Sequence, residues 1–454
     1  MANGQFIFAG YDTRVNKGEV VFYFTLKINS KVLDFQEKIS FPPVTSEIPP
    51  ILVKSILNNL MLILGISYWK TYCPKEITIE GNFLTKEQAD FWNTVYTKGL
   101  GEFFYKNNID FRGLIQFPYV KKETKPTSFP RKDRYLLGLG GGKDSIVAAE
   151  LLKTQKKNFD LLTVGTSTIQ EEVAGVIGKK PILIKRELDS KLFDLNKQKG
   201  SLPGGKQVYN GHIPISAIYA FLGLMAGVFY DYRSIIVGNE KSANYGNVRY
   251  LGEIINHQWS KSEEFEKLFA QYIREFITKD ISYSSILRNL SELEIIKEFV
   301  KYPKYFKVFS SCNRNFKISA PLRSDEVRRG KWCGKCAKCL FVFTLLSAFL
   351  NKEKVVNIFG KNLFEDEALL LTFKELLGLK DVKPFECVGT PQEFKLALYL
   401  AYKRKEFNSD FLMKVFIKDV FPTLSNIESL EKYLFSSSNQ HLAPEEFRGI
   451  IKNL

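Results

Sequence analysis

Residues 140–145 are Gly140-Gly141-Gly142-Lys143-Asp144-Ser145, and this stretch decides the fold. An apolar run at 135–139 precedes it, and a helix-like run at 146–152 follows it. Strand, glycine loop and helix in this order hold phosphate, because glycines let the backbone approach an anion and the free N–H groups at the helix start face it. A glycine-rich turn without a ligand is the plainer interpretation, and the agreement of all three segments argues against it.

Spacing excludes two commoner phosphate loops. A Walker loop needs Gly where Leu137 stands, and Ser or Thr where Asp144 stands. A dinucleotide fingerprint starting at Gly138 needs Gly where Lys143 stands. The stretch instead resembles the SGGxDS loop of PP-loop ATP pyrophosphatases, which split ATP between its α and β phosphates. Gly140 replaces the leading Ser of that loop, so we expect backbone groups to carry the pyrophosphate contact there.

The region around the loop alternates between strand and helix patterns from residue 134 to about residue 240. We predict strands at 135–139, 160–164, 181–184 and 234–237, with helices at 145–154, 169–177 and 215–230. Such alternation indicates an α/β fold with a parallel sheet and right-handed crossovers. Ligands bind at the carboxyl ends of such strands, so we expect loops 140–144, 165–167 and 238–242 to face one cleft.

The chain length predicts two or three domains, and a polar linker with two prolines at 121–130 marks one boundary. We predict an N-terminal α+β domain at 1–125, with strands at 6–11 and 20–28 and helices at 49–69 and 87–106. The PP-loop domain, with an adenine nucleotide α-hydrolase-like core, takes residues 126–350 and includes helices at 263–278, from 291 to about 300, and at 340–350. Residues 351–454 form a helical C-terminal region.

Charge and composition narrow the classes of partner. The net charge of +16 suits an anionic small substrate or nucleic acid, although scattered lysines are explained equally well by a solvated surface. The first residues lack a signal-peptide pattern, and the apolar run within 208–230 is too short to cross a bilayer. We therefore expect a cytoplasmic protein without a membrane partner.

Four of the six cysteines form a cluster with the spacing Cys312-x(20)-Cys333-x(2)-Cys336-x(2)-Cys339. Four thiolates at this spacing predict a structural Zn²⁺ site, with Gly334 in the tight turn between two ligands. An iron–sulfur cluster and unligated cysteines are the alternatives. Lysines interleaved with the cysteines would offset the negative charge of the thiolates, and they are Lys331, Lys335 and Lys338.

The whole chain resembles the UDP-N-acetyl-α-D-muramoyl-L-alanyl-L-glutamate epimerase family. The motifs that carry the resemblance lie at residues 140–145, 210–214, 239–244, 256–262, 287–292 and 332–339. Asn289, where the family has proline, is a departure. The resemblance implies epimerisation of the terminal L-Glu of UDP-MurNAc-L-Ala-L-Glu to D-Glu, with ATP and Mg²⁺, through adenylation of the carboxylate. It implies no nucleic-acid partner.

The resemblance also implies the site residues. Those expected to hold ATP are Gly140, Gly141, Gly142, Lys143, Ser145, Thr166, Ser167 and Asn239. Those expected to act in catalysis are Lys143, Asp144, His212, Glu240, Lys241 and His257. Asp144 either binds Mg²⁺ or caps the following helix. Either histidine is a candidate base, while a hydrogen-bonded structural role is the plainer interpretation of each taken alone.

Two other functions remain open from the sequence. The combination of a PP-loop with a distant Cys followed by CxxCxxC also resembles 7-cyano-7-deazaguanine synthase, and a tRNA-modifying PP-loop enzyme would explain the charge as an RNA-binding surface. A zinc-containing binding module with a regulatory ATP site is a third class. The intact loop with Lys143 and Asp144 argues against that third class.

Overall fold

The computed structural model of the chain describes residues 4–197, 208–313, 331–436 and residue 447. Its strands are β1 (Gly4–Arg14), β2 (Glu19–Ile28), β3 (Lys31–Ser40), β4 (Glu76–Ile79), β5 (Tyr135–Gly138), β6 (Phe159–Val164), β7 (Ile182–Glu187), β8 (Ser234–Val237), β9 (Val248–Tyr250), β10 (Glu253–Ile255) and β11 (Ser282–Ser285).

Helices surround these strands. They are α1 (Pro50–Trp69), α2 (Lys86–Gly99), α3 (Gly101–Lys106), α4 (Lys143–Thr154), α5 (Thr168–Ile177), α6 (Ser190–Lys197), α7 (Ile215–Phe229), α8 (Glu263–Tyr272), α9 (Glu292–Phe299), α10 (Ala337–Ser347), α11 (Lys352–Phe359), α12 (Leu370–Leu376), α13 (Pro391–Lys403), α14 (Phe411–Val415) and α15 (Ile427–Leu434). The last five confirm the helical C-terminal region.

One sheet of nine strands, in the order β11-β8-β5-β6-β7-β3-β2-β1-β4, runs through the described ranges. Strands β5, β6, β7, β8 and β11 are parallel, with helices in the connections from β5 to β8, which confirms the predicted α/β core. Strand β8 has the predicted bounds. Strands β1 to β3 form an antiparallel meander, with Gly18 in the left-handed conformation before β2.

Strand β5 shows how the sheet is buried on both faces. Leu136 belongs to a core that also contains residues of α1 and α7, whereas Tyr135 and Leu137 belong to a second core with residues of α4 and α10. Side chains alternate between the two faces of a strand, so a strand covered on both sides reads as a continuous apolar run. This run explains why the sequence identified the strand.

The meander joins the parallel strands edge to edge. Strand β3 pairs antiparallel with β7 from Lys38↔Glu187 to Ser40↔Lys185. Beside this seam the buried Arg186 guanidinium donates to the carboxylate of Glu37 over 2.6 Å and to the Ser67 hydroxyl over 2.8 Å. The domain boundaries at 125 and 350 stay predictions, and the sheet is continuous across the first of them.

Helix α1 has the length and apolar composition of a membrane-crossing segment, yet 72% of its most apolar window is buried inside the fold. Its residue Gly65 faces the ring of Phe8, where a Cβ would lie 2.3 Å from an aromatic carbon. Close packing of this kind is typical of a core helix.

Two helix predictions need correction. The helix predicted at 87–106 is broken at Leu100, whose backbone leaves the helical conformation between Gly99 and Gly101, because glycines weaken a helix interior. The helix predicted at 263–278 is α8 followed by a π-helical turn at Ile273–Ile277. The helix predicted from residue 291 is α9, and it begins with a capping box in which Ser291 and Glu294 are bonded reciprocally.

Candidate active site

The active-site cleft follows from the order of the parallel strands. From β5 the chain adds β6 and β7 on one side and then returns to place β8 and β11 on the other side. Loops leaving β5 and β8 therefore diverge, and such a switch point opens a crevice at the carboxyl ends of the strands. A cavity of about 270 Å³ lies there, bordered by the loops that begin after Gly138 and Val237.

The glycine loop forms one wall of this cavity. Gly141 has a φ of +82°, and a Cβ there would lie 2.8 Å from the Ile169 side chain. A Cβ on Gly142 would lie 2.5 Å from the Ser311 hydroxyl, whereas one on Gly140 would meet nothing within 4 Å. The loop needs glycine for its conformation and its close packing, as expected for a backbone phosphate cradle.

Helix α4 starts directly from this loop. Its N-cap is Gly142, and no side chain accepts a hydrogen bond from its first turn. The alternative in which Asp144 caps the helix is therefore wrong, because Asp144 already lies inside the first turn. The Ser145 hydroxyl instead donates to the Gly142 carbonyl over 3.1 Å. The N–H groups at this helix start remain available for an anion.

The predicted site residues fall into two groups. The cavity wall includes Gly140, Gly142, Asp144, Ser145 and Asn239. Among residues that the structure describes, those set back from the wall are Gly141, Lys143, Thr166, Ser167, His212, Glu240, Lys241 and His257. Thr166 is exposed beyond β6, and the Lys241 ammonium lies 4.7 Å from the ring centroid of Tyr433.

Buried charges lie directly behind the glycine loop. The side chains of Lys143 and Glu292 are fully buried and their charged ends pair, and Lys143 also pairs with Asp144. The Lys338 ammonium lies 3.7 Å from Glu292. Burial raises the pKa of Asp144, but Lys143 and Lys338 outweigh it and hold that pKa below its usual range. Asp144 is thus a carboxylate on the cavity wall, which suits a hard cation such as Mg²⁺.

Two lysines bring positive charge to the cavity itself. Lys261 and Lys338 both line the wall. The pKa of Lys261 is raised above its ordinary value, most strongly by Cys387 and then by Glu240 and Asp144, although burial acts to lower it. A permanent cation beside a phosphate cradle favours a polyanionic ligand.

The two histidines share one carboxylate. Glu102 pairs with Nδ1 of His257, and Nδ1 of His212 lies 3.2 Å from the same carboxylate. Burial raises the pKa of Glu102, but His257, His212 and Lys106 outweigh it and lower the pKa to about 2. Burial, and then the neighbouring His257, lower the pKa of His212 to about 3. His212 is therefore neutral, and His257 takes the closer contact with the carboxylate.

Cys387 connects the histidines to the cavity. Cys387 lines the cavity, and its thiol interacts electrostatically with the His257 ring. Burial raises the pKa of Cys387, but Lys261, His257 and Lys338 outweigh it and lower the pKa to about 6. Burial lowers the pKa of His257, but Cys387 and Glu102 outweigh it and raise the pKa to about 9. The favoured state at neutral pH is a thiolate beside an imidazolium.

The four clustered cysteines fit a tetrahedral zinc site. Their sulfur atoms all lie within 4.8 Å of one another, with Cys333 to Cys339 at 3.7 Å and Cys336 to Cys339 at 3.5 Å. A tetrahedral ion with Zn–S bonds of about 2.3 Å separates its sulfurs by about 3.8 Å. A four-iron cluster holds each thiolate on a different iron, which places the sulfurs farther apart. Cys312 completes the set.

The turn at Gly334 matches the sequence prediction, whereas two of the lysines near the cysteines also pair with carboxylates. Gly334 has a φ of +61°, which confirms the tight turn between two ligands. Lys331 pairs with Glu172, and Lys338 with Glu292, so these lysines engage carboxylates as well as lying near the thiolates. Lys338 thereby links the cysteine site to the cavity, since its neighbour Cys339 is one of the sulfur ligands.

Comparison with known proteins decides the family. The chain matches the MurL N-terminal domain over residues 1–286 and the MurL C-terminal domain over residues 308–430. It belongs to the MurL family. A relative from Xanthomonas oryzae pv. oryzae, named UDP-N-acetyl-alpha-D-muramoyl-L-alanyl-L-glutamate epimerase, is 36% identical over 86% of this chain and 84% of its own length. The resemblance stated from the motifs is confirmed.

More distant comparisons agree on the family or add nothing to it. Relatives of the same name from Micromonospora sp. and Salinispora tropica are each 31% identical, over 97% and 99% of this chain and 96% of each relative. A solved structure, a predicted subunit of tRNA methyltransferase from Methanocaldococcus jannaschii, is 19% identical and covers 37% of this chain and 74% of its own. Its TM-score of 0.22 is too low to carry an argument.

Several groups at the site of this MurL protein escaped the sequence reasoning. Cys387 lies outside the zinc spacing, and the one available signal was that it is a cysteine without a partner in any motif. Lys261 lies in the motif at 256–262, but nothing in the sequence assigned it a role. Glu292 belongs to the motif at 287–292 but received no role of its own, because its burial against Lys143 depends on contacts across the fold.

Proposed function

We propose that this MurL protein epimerises the terminal L-Glu of UDP-MurNAc-L-Ala-L-Glu to D-Glu in the cytoplasm, using ATP to adenylate the glutamate carboxylate with release of pyrophosphate and later AMP. The observation that carries the proposal is the glycine loop with its uncapped helix start opening into a cavity that holds Lys261 and Lys338. The names of the relatives supply the substrate class.

The loop supports nucleotide binding by its backbone. Gly140 and Gly142 line the cavity, and the start of α4 directs free N–H groups and the positive end of the helix dipole at the same space. Lys143 acts from behind, where its ammonium neutralises Asp144 and Glu292 rather than entering the cavity. When bound at Asp144, Mg²⁺ would supply charge neutralisation to the polyphosphate.

Adenylation makes the epimerisation chemically accessible. A glutamate carboxylate oxygen attacks the α-phosphorus, the bond to the β-phosphate oxygen breaks, and pyrophosphate leaves. The carboxylate otherwise leaves the adjacent Cα–H a very weak acid, whereas the acyl-adenylate withdraws electrons and lets a side-chain base remove that proton. Lys261 and Lys338 line the same cavity as the glycine loop, so both cations are positioned to stabilise the negative charge that develops on the phosphates and on the adenylate carbonyl. Return of a proton to the opposite face and hydrolysis complete the reaction.

The test is turnover in deuterated water with the UDP-linked dipeptide. We expect deuterium at Cα of the product glutamate, one AMP per turnover and no ADP, with both signals lost when ATP is omitted. An ATP analogue with a methylene bridge between the α and β phosphates should support neither signal, while a β,γ-methylene analogue should support both. A substrate whose terminal α-carboxylate is a carboxamide should release no AMP.

The outcomes separate the proposal from its rivals. Deuterium uptake without ATP would contradict activation as the purpose of the loop, and ADP with phosphate would contradict adenylation. A tRNA-modifying or nitrile-forming enzyme would release AMP with its own substrate and place no label at Cα.

The cysteine site has a structural part in this proposal. Cys312, Cys333, Cys336 and Cys339 would hold Zn²⁺ and so fix the start of α10, whose residue Lys338 reaches the cavity. Closed four-thiolate zinc sites stabilise a fold and leave no coordination position for substrate.

A further inference from the structure

Cys387 differs from every other described cysteine in its surroundings. Four cysteines share the zinc geometry, and Cys73 is buried beside α1, where burial raises the pKa of its thiol. The Cys387 thiol instead lies on the wall of the cavity, in company with Asp144, Lys261 and Lys338. It is thus a nucleophilic and basic group placed at the nucleotide loop, with no part in the metal site.

A buried carboxylate and an imidazole support this thiol. Glu102 is buried and bonds Nδ1 of His257, which leaves the second ring nitrogen for another partner, and the charge of the His257 ring lowers the pKa of Cys387. His257 is further fixed by its backbone N–H, which donates to the Asn247 side chain over 2.8 Å. A carboxylate that orients an imidazole, which in turn polarises a thiol, is the arrangement that activates cysteine for chemistry.

We propose that Cys387 is one of the two proton-transfer groups of the epimerisation, and that His257 and Glu102 are positioning residues that keep its sulfur as a thiolate. The inference rests on the proposed function. It also gives His257 a different part from that of a base acting on substrate, because Glu102 holds its Nδ1 and its positive charge favours the thiolate of Cys387.

The step balances without a further reactant. The Cys387 thiolate takes the Cα proton of the glutamyl adenylate, so an S–H bond forms, the Cα–H bond breaks, and the electron pair moves into the adenylate carbonyl. A second group delivers a proton to the opposite face, where the new Cα–H bond forms. Water then cleaves the adenylate to carboxylate and AMP. In epimerisation in the opposite direction, the protonated thiol of Cys387 donates the proton to Cα.

The charges around the sulfur agree with a thiolate at neutral pH. The cationic groups that face it are Lys261, Lys338 and His257, and Lys383 lies nearby on the same loop. Burial raises the pKa of Cys387, but Lys261, His257 and Lys338 outweigh it and lower the pKa to about 6. The neutral His212 adds no competing charge. The useful range for a thiolate base with its imidazolium therefore lies between pH about 6 and about 9.

The decisive experiment uses Cys387→Ala and Cys387→Ser in the full chain, each offered both epimers of the substrate in deuterated water. Inversion should fall by about 10²–10⁴-fold in both directions, the usual contribution of a positioned acid or base. AMP release from ATP should persist. The second proton-transfer group is still present in these variants. It should exchange the Cα proton of the epimer whose Cα–H faces it, and the other epimer should stay unlabelled.

These readouts keep the two proposals apart. Wild-type protein that forms no AMP and takes up no deuterium refutes the proposed function, whereas an active wild type with a variant that inverts at more than a tenth of its rate refutes the role of Cys387. A merely structural cysteine would lose AMP release and exchange from both epimers together. The serine variant keeps the shape of the side chain, so it guards against a loss caused by misfolding of the alanine variant.

A second experiment measures the sulfur without turnover. Iodoacetamide labelling, located by peptide mapping, should modify Cys387 with a midpoint near pH 6 and be blocked by ATP with substrate, while the buried Cys73 stays unlabelled. Glu102→Gln and His257→Ala should move the midpoint towards the ordinary thiol value of about 8.5. A wild-type midpoint already in that range, or one that neither variant moves, overturns the positioning roles.

Discussion

The variant Gly238→Ala tests whether the loop after β8 sets the position of helix α4, which we propose binds the nucleotide. A Cβ at Gly238 would lie 2.9 Å from the Asp144 carbonyl oxygen and 3.0 Å from its carbonyl carbon. Both atoms are backbone in the first turn of α4, so no side-chain rotation relieves the contact. The backbone at Gly238 is outside the left-handed region, so the contact, and not conformational strain, carries the cost.

The magnitude follows from the size of the overlap. Ordinary contact begins at 3.4 Å, so the loop and the helix start must separate by a few tenths of an ångström. Overpacking of this kind costs about 1–3 kcal/mol. At roughly 2 °C per kcal/mol, the melting temperature should fall by about 2–6 °C. Misplacement by a full ångström costs about 10²-fold in rate, so we expect AMP release to fall roughly tenfold.

Melting curves and ATP-dependent AMP release measure the two effects. The matched control is Gly175→Ala in the interior of α5, where a Cβ would meet nothing within 4 Å. That substitution should raise stability by about 0.5–1 kcal/mol and leave AMP release unchanged. A Gly238→Ala protein with wild-type melting and wild-type AMP release would refute the reasoning. Equal losses in both variants would show that the contact with α4 is not the cause.

Three further outcomes follow from the buried groups. Purified protein should contain one zinc per chain, and Cys336→Ser should lower the metal content and the melting temperature together; zinc-free protein with unchanged melting would exclude the site. Lys143→Ala should weaken ATP-dependent AMP release, because Asp144 and Glu292 lose their buried cation, and near-normal AMP release at saturating ATP would remove this role. Asp144→Asn should raise the Mg²⁺ concentration needed for half-maximal AMP release, and an unchanged Mg²⁺ dependence would remove the role of Asp144. Arg186→Met should lower the free energy of unfolding by about 3–5 kcal/mol, because it leaves Glu37 buried and unpaired. The double variant Arg186→Met, Glu37→Met should recover most of the lost melting temperature. If it recovers none, the loss does not come from the broken ion pair.

Features set by local chemistry were predictable from the sequence. The run from Tyr135 into Gly140–Ser145 specifies strand, loop and helix, because covered parallel strands are continuously apolar and a phosphate loop needs glycine at fixed positions. The capping box at Ser291 specifies a helix start by two reciprocal hydrogen bonds within four residues. The cysteine spacing alone specifies a four-sulfur site, because a tetrahedral ion accepts few spacings.

Features that depend on distant parts of the chain were decided only by the tertiary structure. No local pattern shows that β3 continues the sheet beyond β7, since edge pairing depends on where two strands end in space. Nor does any local pattern show that Glu102, His257 and Cys387, which come from three separate regions of the chain, interact with one another. The glycine loop by itself predicted an anion-binding site at a helix start, and the structure confirms the strand, the loop and the helix on which that prediction depends. The tertiary structure decided which side chains face the cavity. Lys143 lies behind the loop, whereas Lys261, Lys338 and Cys387 line the cavity. Burial and charge pairing set these positions, and both act between residues that are neighbours only in three dimensions.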